Sequence, residues 1–135
     1  MANDLVLYKS QELVRSLFYC FDQNNSGGYY EHNRCVSEFV IIEAFSAEKA
    51  NEKAIELGIY FDGCVIGEDC PCCGDRWYPT DDIDGTPEPE VFGKNPDDVE
   101  SYFCPSNIRP VFIYYLNGTL AMTGTGYAKP LNRIE

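Results

Sequence analysis

The stretch Phe39–Phe61, FVIIEAFSAEKANEKAIELGIYF, decides the fold. Phe39, Val40, Ile41 and Ile42 form the most hydrophobic run of the chain and read as a buried strand. Ser46 then reads as a helix N-cap, because its hydroxyl can accept from an amide that the first turn leaves free, and Glu48 answers the positive end of the helix dipole. Ala47, Ala50, Ala54 and Leu57 recur at helical spacing and share one face, where three alanines let the helix lie close to a sheet. Gly58 is a natural stop, so the predicted helix is Ala47–Leu57. Ile59–Phe61 is expected to be a further strand. Strand, helix and strand in this order predict a helix layered on a sheet.

Working outward, residues 1–13 suit either an edge strand or a short helix. Leu17, Tyr19 and Phe21 alternate with Phe18 and Cys20 as in a strand. Asp22–Gly28, DQNNSGG, is made of turn formers and is expected to return the chain into Tyr29 and Tyr30 as a hairpin. Residues 80–105 form an acidic, Pro-bearing insertion in which Lys94 stands among eight carboxylates between Asp81 and Glu100. One short helix is signalled there, about Pro96–Tyr102, by Asn95 as cap and Pro96 at its first position. Residues 109–124 hold a clear hairpin, with Val111–Leu116 and Thr119–Thr123 joined by Asn117-Gly118, expected as a type I′ turn. Gly124–Glu135 is expected to be irregular. The prediction is a single α+β domain over residues 1–135, with a mostly antiparallel sheet of about five strands, one main helix on one face and a zinc-knuckle loop at residues 60–79.

Composition narrows the function classes. The net charge of −12 disfavours phosphate-rich nucleic acid and anionic membranes as partners, since both are held by Lys and Arg. A surface made for a basic partner, or plain solubility, fits that charge. Seven cysteines cannot pair completely within one chain. No basic n-region precedes the short apolar run Leu5–Tyr8, so no signal peptide is predicted, and no apolar run approaches the ~20 residues that span a bilayer. A soluble protein in a reducing compartment is expected, where clustered thiols bind metal more often than they pair.

Tyr60–Pro79, YFDGCVIGEDCPCCGDRWYP, carries four of the cysteines and the only tryptophan. Cys70-Pro71-Cys72-Cys73-Gly74 has the shape of a zinc knuckle: thiolates on a tight turn grip one tetrahedral ion, and the glycine lets backbone amides turn towards the sulfurs. Cys70 and Cys73 are the leading ligands, Cys72 is the nearest third, and Cys64, Cys104 or the pair His32 and Cys35 complete the set. The bland alternative is a turn with buried thiols, which three cysteines within four residues argue against. Cys20 is assigned to the core. A redox Cys-Pro-x-Cys motif would need a helix opening after it to lower the first thiol's pKa, and Gly74-Asp75-Arg76-Trp77 does not open one.

Other candidates are weaker. Asp75 and Arg76 read as a structural ion pair, made with each other or with the neighbouring loop. Trp77 and Tyr78 read as local core. His32, the only histidine, has no evident catalytic partner. The carboxylates of Asp81–Glu90 match no calcium loop, and Gly27-Gly28 lacks the lysine of a phosphate loop.

FDQNNSGG (Phe21–Gly28), VIIEAFSAEKANEKA (Val40–Ala54), GIYFDG (Gly58–Gly63) and DCPCCGDRWY (Asp69–Tyr78) together resemble a family of small, uncharacterised proteins encoded by tailed bacteriophages. The resemblance spans roughly residues 15–80 and implies expression in the cytoplasm of an infected bacterium. It implies no activity.

The functional expectation is a non-enzymatic accessory protein, stabilised by structural zinc, that binds a host or phage macromolecule through its acidic surface. A small-ligand or nucleotide binder is the alternative, with Asn24–Gly28, Tyr29, Tyr30, Trp77 and Tyr78 enclosing the ligand. A zinc-dependent hydrolase ranks third, since only Glu68, Asp69 or Asp75 stands close enough to act as its base.

Overall fold

A computed structural model describes residues 5–9 and 12–126, with side chains from Arg15 to Gly126. The part of the expected irregular tail beyond Gly126 lies outside the described residues. Among the described residues the chain forms a two-stranded hairpin, a four-stranded sheet and one α-helix. The hairpin pairs β1 (Leu5–Lys9) with β2 (Glu12–Arg15), so the described part of residues 1–13 is strand. The sheet has the order β3 (Leu17–Asp22), β4 (Phe39–Ala44), β5 (Val111–Tyr114), β6 (Leu120–Thr123).

The α+β class stands, but the sheet is four-stranded and mixed rather than about five-stranded and mostly antiparallel. β3 and β4 run antiparallel from Leu17 opposite Ala44 to Asp22 opposite Phe39. β4 and β5 run parallel from Phe39 opposite Val111 to Ile42 opposite Tyr114, and β5 and β6 are antiparallel. A parallel pair needs a crossover to carry the chain back to the same end. Here residues 45–110 supply it.

That crossover begins with α1 (Ala47–Glu56), capped by the Ser46 hydroxyl, which accepts from the Lys49 amide. Asp82 accepts from the Ala47 amide at 2.8 Å and satisfies a second free donor. At the other end Gly58 adopts φ 101°, its amide donates to Ile55 and the Ile59 amide donates to Ala54, a Schellman closure. This is why Ile59–Phe61 is not the expected strand: the Ile59 amide is used by the helix.

Two other local expectations change. The segment after β3 makes a 3₁₀ turn at Ser26–Gly28, and β3 pairs with β4 instead of Tyr29 and Tyr30. The short helix after Asn95 is a 3₁₀ turn, Pro96–Asp98, with Asn95 capping the Asp97 amide. In the β5–β6 hairpin the Gly118 amide donates to Tyr115, and Thr119 pairs back to Tyr115. Of Asn117 and Gly118 only Gly118 has positive φ, 93°, which is a turn with a glycine bulge rather than type I′.

Both faces of the sheet are covered. On one, Tyr19, Phe21, Val40, Ile42 and Ala44 pack with Ala47, Ala50 and Ala54 of α1 and with Ile59 and Trp77. On the other, Ile41, Val111 and Ile113 pack with Val91 and Val99, with partly buried Cys20 against them. The acidic insertion therefore contributes core: its valines plug the second face, and Thr86 exchanges backbone hydrogen bonds with Phe18.

Candidate functional site

The loop after α1 is a pair of tight turns. Asp62, at φ 59°, starts the first, and the amides of Glu68 and Asp69 both donate to the Gly63 carbonyl, at 2.8 and 3.0 Å. In the second, the amides of Cys73 and Gly74 both donate to the Cys70 carbonyl at 3.0 Å, with Gly74 at φ 91°. The backbone amides of Cys72 and Cys73, with the two neighbouring thiols, hold the Cys70 thiol below its usual pKa. The first turn brings Cys64 alongside. Its sulfur lies 3.6 Å from the Cys70 carbonyl and its amide donates to Asp75 Oδ1 at 2.8 Å. The Asp75 carboxylate, first among the causes, pushes the Cys64 thiol up to about 11.

The tip after β3 braces this loop. Asn24 Nδ2 donates to the carbonyls of Cys73 and Asp75, at 2.8 and 3.1 Å, and Ser26 Oγ accepts from the Cys70 amide. Arg76 locks the two together from inside. Buried to 2% exposure, it donates to the carbonyls of Ser26 and Tyr29 at 2.7 Å and to Gln23 Oε1 at 3.0 Å. Its charge is met by Asp69 and Glu31, at 3.8 and 3.7 Å, so the pairing is with the loop and the tip rather than with Asp75. Asp69 in turn accepts from the Arg76 amide and from the Tyr60 hydroxyl.

Cys104 lies elsewhere. Its fully buried sulfur sits 3.7 Å from His32 Nε2 and 3.8 Å from Glu38 Oε1, and 3.9 Å from the Ser37 hydroxyl. Ser101 Oγ donates to Glu38. Burial raises the Glu38 carboxyl and the Cys104 thiol and lowers the His32 imidazole, so each is pushed towards its neutral form. His32, which the sequence leaves without an evident partner, is thus half-buried beside a thiol. Cys35 presents its carbonyl to the Tyr114 hydroxyl at 2.6 Å. The structure therefore gathers Cys64, Cys70, Cys72 and Cys73 in one loop and puts Cys104 with His32. Among the described residues, no three His, Cys, Asp or Glu side chains converge as they stand on a point that would hold a metal ion.

The aromatic enclosure expected for a nucleotide is distributed differently. Trp77 is core, at 1% exposure. Arg76 covers the Tyr29 ring at 4.4 Å, and Tyr30 packs on Phe103. Tyr78 alone of the four turns into an open cleft of about 350 Å³, beside β3 and under the acidic insertion. Phe18, Phe21, Tyr78 and Phe92 are its aromatic residues and Asp22, Asp84 and Glu90 its carboxylates, and no Lys or Arg lines it among the described residues. Phe92 is 81% exposed and holds φ 51°, a left-handed conformation that is costly for a residue with a Cβ. Sequence reasoning missed this cleft and the role of Asp75. The adjacent pair Val91-Phe92 was the available signal: Val91 plugs the core, which leaves its neighbour facing out.

No described helix is long and apolar enough to cross a membrane. No curated protein and no solved structure matches the chain. Residues 16–131 match the family described as Domain of unknown function (DUF7296), so the chain belongs to that family.

Proposed function

We propose that the chain is a non-enzymatic binding protein that takes a Lys- or Arg-bearing segment of a partner macromolecule into the acidic aromatic cleft. The observation that carries this reading is the cleft's lining: four aromatic residues and three carboxylates, with no Lys or Arg among the described residues. A guanidinium or ammonium group lying on Phe92 or Tyr78 gains the ring's quadrupole, and the carboxylates answer its charge. The net charge of −12 steers such a partner in from a distance. In the setting implied by the phage resemblance, the partner is a basic host or phage protein in the bacterial cytoplasm, and the chain acts as an accessory factor.

The test is a titration with short Arg- and Lys-rich peptides against an acidic peptide of the same length. Binding of the basic peptides alone is expected, weakening as salt rises. Glu90→Gln combined with Phe92→Ala should lower that affinity roughly tenfold or more. Equal affinity for the acidic peptide, or no effect of the double substitution, overturns the assignment.

A further inference from the structure

We propose that the crevice at the carboxyl ends of β4 and β5 binds a small organic anion, an aromatic or branched aliphatic body that bears one carboxylate. β4 and β5 are the parallel pair of the sheet, so the chain leaves both at the same end, from β4 into α1 and from β5 into the turn before β6. The two exits part and leave a crevice, the place where sheets with parallel strands hold their ligands. It encloses about 370 Å³ between Phe45, Tyr114 and Leu116 on its walls and Lys49 and Lys53 of α1. That volume is at the small end of ligand pockets, which run from about 300 to 1,000 Å³. The two lysines stand four residues apart and so share one face of the helix. Lys53 Nζ lies 6.0 Å from the centre of the Tyr114 ring, which sets an ammonium group over an aromatic wall.

Charge sets the sign of the ligand. The chain carries −12, and the cleft beside β3 is lined by carboxylates with no Lys or Arg among the described residues. This crevice reverses that balance: among the described residues its lining holds two ammonium groups and one carboxylate, Glu43. Glu43 is committed to the fold. Its Oε2 accepts from the Ser16 hydroxyl at 2.6 Å and its Oε1 from the Leu116 amide at 2.9 Å. The lysines are held far more loosely. Lys49 meets Glu52 at 3.6 Å and Lys53 meets Glu56 at 3.7 Å, each three residues on along the helix, and all four side chains are 46–70% exposed. Surface pairs of this kind contribute so little that a ligand carboxylate can displace the glutamates. An apolar body frees the walls of water and is held beside the lysines by burial. A bare inorganic anion would leave the rings wet, and a neutral ligand would leave the ammonium groups unanswered.

The experiment adds naphthylacetate to the isotope-labelled full chain and follows the backbone amides by NMR, with naphthylacetamide as a neutral ligand of the same shape. The expected result is a saturable shift centred on the amides of Phe45, Lys49, Tyr114 and Leu116, with a Kd of about 1 mM or tighter for a ligand of this size. The amide should bind about fivefold or more weakly, and the preference for the acid should shrink as salt rises. Lys49→Gln combined with Lys53→Gln should abolish that preference while the amide still binds. Both lysines are exposed on the helix, so this variant should keep the wild-type melting temperature. Equal affinity for acid and amide in the wild type, a preference that survives the double substitution, shifts centred outside the crevice, or no saturable shift at all overturns the proposal.

Discussion

Arg76 Nη2 donates to the Ser26 carbonyl at 2.7 Å, fifty residues back along the chain. That bond fastens the cysteine loop to the tip after β3, and the same guanidinium meets Asp69 and Glu31. A charge at 2% exposure is tolerated only because carbonyls and carboxylates occupy its donors. Removing it strands Asp69, whose side chain is fully buried. Arg76→Met should destabilise the fold by about 3–5 kcal/mol in urea unfolding. A loss below about 1 kcal/mol would show that the network contributes little.

Gly63 tests the same network from the other side. A Cβ there would strike the Asp69 carboxylate and crowd the Tyr60 ring. Gly63→Ala should cost about 1–3 kcal/mol, by overpacking rather than by backbone strain, since its φ is not positive. In an Asp69→Ser background the obstruction is gone, so the added cost of Gly63→Ala should shrink. Full additivity of the two changes in a thermal-unfolding cycle would contradict this account.

How far the sequence reveals the fold depends on how local each signal is. Ser46, the alanine face and Gly58 lie within one helix length, so α1 is readable almost to the residue. The pairing of β4 with β5 joins Phe39 to Val111, and no residue between them advertises it. The turn formers at Asp22–Gly28 suggest a hairpin because a local return is the nearest partner in sequence. β4 competes with a longer apolar run and wins the pairing. In the cysteine loop, the tight turn at Cys70–Gly74 is legible from its Cys-Pro-x-Cys-Gly run. The approach of Cys64 to Asp75 is not, since it depends on two successive turns closing on the carbonyls of Gly63 and Cys70.

His32 gives a pH-dependent prediction. Burial lowers its pKa, and it faces Ser37 and Cys104 with the Tyr30 ring nearby. The unfolded chain therefore binds more protons at this group than the fold does. Its contribution is complete above the unfolded value of about 6.5 and is lost as pH falls through it. The melting temperature should drop between pH 7.5 and 5.5, and His32→Gln should flatten that slope. An unchanged slope in the variant would assign the effect to other groups.

Phe92 separates stability from binding. Its φ of 51° is a conformation that costs a residue with a Cβ about 1–2 kcal/mol, and glycine adopts it freely. Against that relief, Phe92→Gly loses the edge contact with Phe39 at 6.2 Å, worth about 0.5–1.5 kcal/mol. Phe92→Gly should thus leave stability within about 1 kcal/mol of wild type. Phe92→Ala keeps the strain and loses the ring, so it should be less stable than the glycine variant by about 1 kcal/mol. Both remove the ring from the cleft and should weaken a basic peptide to a similar extent. That combination marks an exposed aromatic held in a strained conformation for its ligand. If both variants bound the peptide as wild type does, the strain at Phe92 would have no part in recognition.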